Sequence, residues 1–315
     1  MHWVAHAPAN IALIKYMGKK DENANNPDNS SLSYTLNNLL STVKLEQIDA
    51  KEDVWEPLIT PGDAEFALSD AGKTKFLNHL ARIKNRFGYE GTFLVQSCNN
   101  FPHSSGMASS ASSFAALTRC AVFALAELMQ KESLSVDEQA YMSRLGSGSS
   151  CRSFYSPWAL WQEDKVRAID LPYPELVHQV VLIDAQKKEV SSSEAHKRVK
   201  NSTLYDTRSQ RAEENLSSLL AAFNTNDWTT AYQICWREFQ DMHQLFHTCA
   251  QPFSYITENS LAVLNHLQQF WEKKGDGPLV TMDAGPNIHL LYRPDQLELA
   301  REFKRDYLVG NYDVL

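Results

Sequence analysis

The chain has 315 residues, enough for two domains, and 43% of them are apolar, which is ample material for a packed core. A formal net charge of −8 and a pI near 5.7 disfavour a general nucleic-acid or membrane-surface role, so any anionic ligand must be held by a local basic cluster. The opening Met1-His2-Trp3-Val4-Ala5-His6 lacks the basic head and apolar run of a signal peptide, and no segment approaches the roughly 20 apolar residues of a membrane span. A cytoplasmic protein is therefore expected. Cys98, Cys120, Cys151, Cys235 and Cys249 are odd in number, scattered and free of CxxC spacing, which fits reduced thiols.

In chain order, a short strand is expected over 3–7, followed by Pro8-Ala9-Asn10-Ile11-Ala12-Leu13-Ile14-Lys15-Tyr16-Met17-Gly18-Lys19-Lys20 and a polar loop over 21–29. Residues 31–36 and 42–48 alternate as two half-buried strands, and 73–87 reads as a helix with Phe76, Leu80, Ile83 and Phe87 inward. A buried strand over 91–97 runs into Asn100-Phe101-Pro102-His103-Ser104-Ser105-Gly106. Beyond it, apolar residues at Met107, Ala111, Phe114, Leu117, Ala121, Leu125 and Leu128 recur every three or four positions, the spacing of one helical face. A helix over 136–145 leads to Gly146-Ser147-Gly148-Ser149-Ser150-Cys151-Arg152-Ser153, and 177–184 reads as a buried strand. The polar run 185–193 suggests a boundary between domains 1–185 and 186–315. Helices follow near 204–222, 227–248 and 258–273, then strands over 279–283 and 288–292 around a Gly-Pro break, and a last helix from Pro294. Strands and helices interleave without repeats, which implies an α/β or α+β fold in two lobes.

The order of strand, small-residue turn and helix around Gly106 is the layout of a phosphate cradle, because a helix's first turn presents unpartnered N–H groups and the positive end of its dipole. No Gly-Lys-Ser/Thr follows, so it is not a Walker loop. Three other clusters suit a polyanion: Lys15 and Lys19 beside Gly18; Ser147, Ser149 and Arg152 after a glycine turn; and Asp283 before Gly285-Pro286-Asn287. Each also has an ordinary structural reading as capping serines, exposed lysines or a strand-end aspartate. His243 and His247 stand four apart without the Glu of HExxH, and core or interface histidines are expected there. Trp158 and Trp161 are expected in the core, and no nucleophilic role follows for Cys151.

One family accounts for these clusters together. APANIALIKYMGK with NSSLSYTL, NNFPHSSGMASSASSFAAL, GSGSSCRS with KKEVSSS, and MDAGPN resemble, in order along nearly the whole chain, the mevalonate diphosphate decarboxylases of the GHMP kinase superfamily. The resemblance implies an α+β two-lobed GHMP kinase fold, with an N-terminal ribosomal-protein-S5-domain-2-like lobe, a ferredoxin-like C-terminal lobe and the site in the cleft between them. It implies an ATP-dependent lyase, active with Mg2+, that phosphorylates the 3-hydroxyl of mevalonate 5-diphosphate and releases CO2 to give isopentenyl diphosphate. Lys15, Arg152 and Asp283 become the catalytic set: Asp283 orients the hydroxyl or takes its proton, Lys15 neutralises the moving phosphoryl group, and Arg152 grips the C1 carboxylate. Tyr16, Lys19, Ser147 and Ser149 match positions for the rest of the substrate, and Asn10 matches a position near the site but equally suits bracing the opening loop. Ser104, Ser105, Gly106, Met107, Ala108, Ser109 and Ser110 match the ATP cradle, with Ser109 or Ser110 meeting Mg2+, while Lys187, Lys188, Ser191 and Ser192 either border the nucleotide or form a solvated turn. A homodimer belongs to the same expectation.

The sequence departs from the family at Met17, where Trp is usual, at His103, Ser104 and Ser105 in the cradle, and at Ser156-Pro157-Trp158. The first four bear on substrate preference and rate more than on reaction type, and Ser156-Pro157-Trp158 implies altered packing. Two rivals follow: a relative acting on mevalonate or its 5-phosphate, including one that stops after 3-phosphorylation, and a catalytically idle binding protein. Family members that phosphorylate without decarboxylating tend to lack part of the Lys, Arg and Asp set, which is complete here.

Overall fold

The computed structural model describes residues 1–21, 24–59, 67–101, 109–184 and 189–315. β1 (His2–Ile14), the small hairpin of β2 (Lys19–Asp21) and β3 (Asn26–Pro27), and β4 (Ser31–Ile48) open the chain. β1 and β4 pair antiparallel along most of their length, so the expected short strand over 3–7 continues through the proline, and the two strands expected over 31–48 are one. The alternation breaks because the register slips between Pro8 and Ala9, where Pro8 faces Leu40 and Ala9 faces Leu36. A bulge of this kind also accommodates a proline, which has no N–H to give to the ladder.

β5 (Val54–Pro57), α1 (Asp70–Phe87), β6 (Thr92–Asn99), α2 (Ser109–Leu128), α3 (Val136–Gly146), a 3-10 turn (Gly148–Phe154), β7 (Trp158–Gln162) and β8 (Lys165–Ile169) complete the first lobe. The sheet runs β5-β6-β4-β7-β8, with β1 also on β4. α2 is the lobe's central helix: Ala115, Leu117, Ala121 and Leu125 pack with Val43 and Val95 of the sheet and with Phe76, Leu80 and Ile83 of α1. Against the expectation that no segment reaches the dimensions of a span, its mean hydropathy over 18 residues is 1.3; 67% of that window is buried within the protein, as in a core helix.

β9 (Val177–Leu182), α4 (Ser192–Arg198), α5 (Arg208–Asn224), α6 (Trp228–Thr248), α7 (Glu258–Lys274), β10 (Leu279–Met282), β11 (Ile288–Tyr292), α8 (Leu297–Phe303) and β12 (Asp313–Val314) follow. The second sheet is antiparallel in the order β10-β11-β9-β12, the strand order of a split βαββαβ unit. β9, which sequence grouped with residues 1–185, is hydrogen-bonded inside this second sheet, and its apolar run carries no mark of which sheet receives it. The last helix is shorter than expected, because a 3-10 turn (Pro294–Gln296) precedes it and a π turn (Lys304–Leu308) ends it.

One apolar cluster joins the lobes, with Ile11, Leu13, Leu32, Tyr34 and Trp158 of the first packed against Phe223, Trp228, Leu279 and Leu291 of the second. An apolar interface holds two lobes in a fixed relation. Trp158 and Trp161 are fully buried, as expected. Trp158 meets Tyr34 edge-on and Phe223 at a tilt and donates to the Tyr173 carbonyl at 2.7 Å, which accounts for the Trp of the unusual Ser156-Pro157-Trp158 as core packing.

Candidate active site

Lys15 is the first residue beyond β1, and its backbone is held at both ends. Its N–H donates to Glu238 Oε1 at 3.0 Å, and its carbonyl accepts from Asn29 Nδ2 at 2.9 Å and Arg208 Nη2 at 3.3 Å. The side chain is 2% exposed and reaches Asp283, where Nζ stands 2.6 Å from Oδ1. Asp283 follows β10 in the turn to β11. Its carbonyl accepts from Gly285 N–H at 2.8 Å and His243 Nε2–H at 3.1 Å, while Asn287 Oδ1 accepts from Ile183 N–H at 2.7 Å and ties the same turn to β9. The Asp283 side chain keeps 26% of its exposure, so the carboxylate faces the cleft with the ammonium behind it.

Arg152 lies on the 3-10 turn after α3. Nε donates to Asn10 Oδ1 at 3.0 Å and Nη1 to Ser31 Oγ at 2.8 Å; no described residue engages Nη2. Asn10 is locked in turn, with Nδ2 donating to Ser153 Oγ at 2.9 Å and to the Ser149 carbonyl at 3.3 Å. Burial pulls the Lys15 ammonium below its ordinary pKa and the Arg152 charge adds to this, against the opposing pull of Asp283 and Glu238. Burial pushes the Asp283 carboxyl up, but Lys15, His289 and Arg152 together outweigh it and hold the carboxyl below its ordinary value. The outcome is an ionised carboxylate between two buried cations.

Tyr16 is wedged between Trp161 and His196, with ring centroids 4.7 and 4.5 Å away, and its hydroxyl donates to the Asn25 carbonyl at 3.3 Å. Lys19 Nζ donates to Asn25 Oδ1 at 2.7 Å, and Asn25 Nδ2 donates to the Arg144 carbonyl at 2.7 Å. His196, on α4 of the second lobe, accepts the Gly18 N–H on Nδ1 at 3.0 Å, so its proton resides on Nε2. Gly148 leaves room for Tyr16, since a Cβ there would lie 2.7 Å from the Tyr16 hydroxyl.

The first turn of α2 carries no acidic side chain to cancel its dipole, and Ser110 is exposed there. Ser147, which caps the end of α3, donates to Ser110 Oγ at 3.4 Å and so joins the helix start to the turn bearing Ser149 and Arg152. An anion at α2 and a small acid between Arg152 and Asp283 would therefore be neighbours. A separate groove of about 770 Å³, bounded by Lys20, Asp28, Lys165 and Glu213, is lined by none of Lys15, Arg152 and Asp283.

Residues 7–169 match the Diphosphomevalonate decarboxylase-like N-terminal domain, and residues 179–311 match the Mevalonate 5-diphosphate decarboxylase C-terminal domain. The chain belongs to the diphosphomevalonate decarboxylase family. Diphosphomevalonate decarboxylase mvd1 of Aspergillus fumigatus is 30% identical over 309 residues, covering 91% of this chain and 75% of the relative. A mevalonate diphosphate decarboxylase from Legionella pneumophila has a crystal structure with a TM-score of 0.95 and 68% identity, each chain covered in full. MDDEF in complex with MVAPP, AMPPCP and magnesium gives a TM-score of 0.88 at 29% identity, covering 100% of this chain and 96% of that one. The fold is accordingly the two-lobed GHMP kinase fold expected from sequence.

Within this decarboxylase fold Lys15, Arg152 and Asp283 converge, and Asn10, which sequence left between a substrate role and a bracing one, holds Arg152 directly. Ser191 accepts from the Glu194 N–H as the N-cap of α4, and Ser192 opens that helix, both exposed. Ser104, Ser105, Gly106, Met107, Ala108, Lys187 and Lys188 lie outside the described residues. Met17, in place of the usual Trp, is 2% exposed among Met242, Phe246 and Tyr255 of the second lobe. Sequence reading assigned no role to Asn29, Ser31, His196 or Glu238, and expected His243 only as a core or interface histidine, which its 2% exposure on α6 bears out. Asn29 and Ser31 lie inside NSSLSYTL and were open to notice; His196 and Glu238 sit on helices whose apolar periodicity hides them.

Proposed function

We propose that the chain catalyses the ATP-dependent decarboxylation of mevalonate 5-diphosphate to isopentenyl diphosphate in the mevalonate pathway, by way of 3-hydroxyl phosphorylation. The single observation that carries the reading is the meeting of Lys15, Arg152 and Asp283, from three distant parts of the chain, in a family whose relatives bear this activity in their names. The complex with MVAPP, AMPPCP and magnesium supports ATP, Mg2+ and the diphosphate as ligands here.

Asp283 Oδ1 is taken by Lys15, and Oδ2, without a hydrogen-bond partner among the described residues, is left for the substrate's 3-hydroxyl. A carboxylate held below its ordinary pKa is a weak base, so its first task is to orient the hydroxyl and accept its proton as the bond to phosphorus forms. Lys15 supplies positive charge beside the transferring group, which needs electrostatic stabilisation more than covalent help. Arg152, fixed through Nε and Nη1, offers Nη2 to the C1 carboxylate. In the second step the C1–C2 bond breaks with loss of CO2, its electron pair forms the C2–C3 double bond, and the C3–O bond breaks with loss of phosphate.

Tyr16, Lys19, Ser147 and Ser149 are proposed to hold the diphosphate end. Ser109 and Ser110, at a helix start free of acidic side chains, suit ATP phosphates, and one of the two hydroxyls suits the metal. The hydroxyl of Ser109 or Ser110 would help to hold Mg2+, which would supply further positive charge to the phosphates. Ser191 and Ser192 are proposed to border the nucleotide. The division between lobes is proposed to fall in the connection before β9. A homodimer is proposed from the family resemblance alone, and a cytoplasmic location also from Cys120, Cys151, Cys235 and Cys249, buried free thiols that suit a reducing compartment.

The test is an assay of purified protein with ATP, Mg2+ and each of mevalonate, its 5-phosphate and its 5-diphosphate, reading ADP and CO2. Equal ADP and CO2 with the diphosphate alone is expected. ADP without CO2 would replace the decarboxylase with a 3-kinase, and neither product would replace it with a binding protein.

A further inference from the structure

Glu238 on α6 is fully buried and accepts four hydrogen bonds. One comes from the Lys15 backbone N–H at 3.0 Å, one from Asn215 Nδ2 at 2.7 Å, and two from the Arg208 guanidinium, whose Nη1 lies 3.2 Å from Oε2. Arg208 closes the loop by donating through Nη2 to the Lys15 carbonyl at 3.3 Å, and it is fixed from its other side by Asp241 Oδ2 at 2.8 Å. A carboxylate and a guanidinium from the second lobe thus grip both polar groups of one peptide residue in the first. Burying such a pair gains little stability over an apolar pair of the same volume, so stability alone is a poor reason for its presence.

We propose that Glu238, anchored by Arg208, is a positioning residue for catalysis: it sets where Lys15 leaves β1, and so where the Lys15 ammonium meets Asp283. The reach of Nζ to Oδ1 depends on that backbone placement, and a misplacement of about 1 Å at a reacting group costs up to about 100-fold in rate. Glu238 also adds negative charge to the surroundings of Lys15. Asp283 from the β10–β11 turn and Glu238 from α6 favour the ammonium; burial and Arg152 from the 3-10 turn oppose it. His243 and Cys235 of α6 also feel the Lys15 charge, but both are buried and neutral, with the His243 pKa pulled down to about 3 by burial and Lys15. Arg208 of α5 meets only the Lys15 carbonyl and is paired with two carboxylates. With so few counter-charges, losing Glu238 moves the balance toward neutral lysine.

This inference rests on the proposed decarboxylase reading, and wild-type turnover of mevalonate 5-diphosphate separates the failure of one from the failure of the other. Glu238→Gln keeps the shape and an acceptor for the Lys15 N–H while removing the charge. The expected result is a fall in kcat of about 10- to 100-fold, KM for both substrates within about threefold, and a high-pH limb of the kcat profile moved to lower pH. Asp241→Asn is the control. It removes an equal charge from the same network without touching Lys15, and is expected to lower the unfolding midpoint while leaving the high-pH limb in place. Should Glu238→Gln not fold, Arg208→Lys, which keeps the charge but loses the fork, is expected to lower kcat with an unmoved limb. An active wild type whose Glu238→Gln variant keeps kcat and limb unchanged, or whose Asp241→Asn variant shifts the limb equally, overturns the inference.

Discussion

Lys15 Nζ and Asp283 Oδ1 stand 2.6 Å apart although 268 positions separate them in sequence. The pair bridges the two lobes at the one point where a cation from β1 and a carboxylate from the β10–β11 turn share the cleft with Arg152. Asp283→Asn keeps the shape of the turn and removes the charge that orients the hydroxyl. Turnover should drop by about 10²- to 10⁴-fold, the usual worth of a lost general base, as read from steady-state release of CO2. Near-normal turnover in this variant removes Asp283 from the mechanism.

Much of this site was legible before any coordinates. Lys15, Arg152 and Asp283 lie in short runs of small and charged residues that no helix or strand needs, so their chemistry shows through the fold. Glu238 and His243 face inward on α6 among Phe239, Met242 and Phe246, where an apolar period absorbs an occasional polar residue without a visible break. Strands were legible where an apolar run is bounded by turn residues, as over β10 and β11, which are buried along their whole length. The pattern failed at the Pro8 bulge, where the register shifts, and no strand was expected over β7 and β8, although Trp158 and Trp161 were expected in the core.

Asn10 ought to affect the substrate through Arg152. With Asn10→Ala, Arg152 Nε loses its acceptor, and Ser153 Oγ and the Ser149 carbonyl lose a donor, all inside a buried cluster. A net loss of about 2 kcal/mol in transition-state stabilisation is expected, the worth of a hydrogen bond to a charged group, or about 30-fold in kcat/KM for the diphosphate. The affinity for a non-hydrolysable ATP analogue, measured by calorimetry without the acid, should change little. Equal losses for both ligands would point to general unfolding instead.

Acid should weaken the protein well before its carboxylates protonate. Burial holds His79, His196 and His243 at pKa values of about 3, against 6.5 when unfolded, with nearby cations adding to the effect. Between those values the unfolded chain binds protons that the folded one refuses, so stability is full above pH 6.5 and falls as the pH drops toward 3. Each histidine contributes a slope of about 1.4 kcal/mol per pH unit in that window. Urea midpoints at pH 7, 6 and 5 should decline steadily, and His79→Gln, which keeps a donor for Thr118 Oγ1, should flatten the decline by one proton. A midpoint unchanged from pH 7 to 5 contradicts the assignment.

Gly18 fixes the loop that carries Lys15, Tyr16 and Lys19. Its φ of +99° is open to glycine and strained for other residues, and a Cβ there would lie 2.3 Å from the Tyr205 hydroxyl and 2.7 Å from Asp28 Oδ2. The Tyr205 hydroxyl donates to Asp28 Oδ2, so neither atom can retreat alone without breaking that hydrogen bond. Its N–H is the donor to His196, which stacks on Tyr16, so displacement of residue 18 also moves the ring beside the proposed diphosphate site. Gly18→Ala should therefore raise KM for mevalonate 5-diphosphate more than it lowers kcat, and should cost about 1–3 kcal/mol of stability. Tyr205→Phe in the same background removes one hydroxyl from the clash, and should recover part of the stability but not the KM, because the backbone strain persists. Steady-state kinetics and thermal unfolding of the single and double variants distinguish the two contributions; a KM restored by Tyr205→Phe would assign the whole effect to the clash.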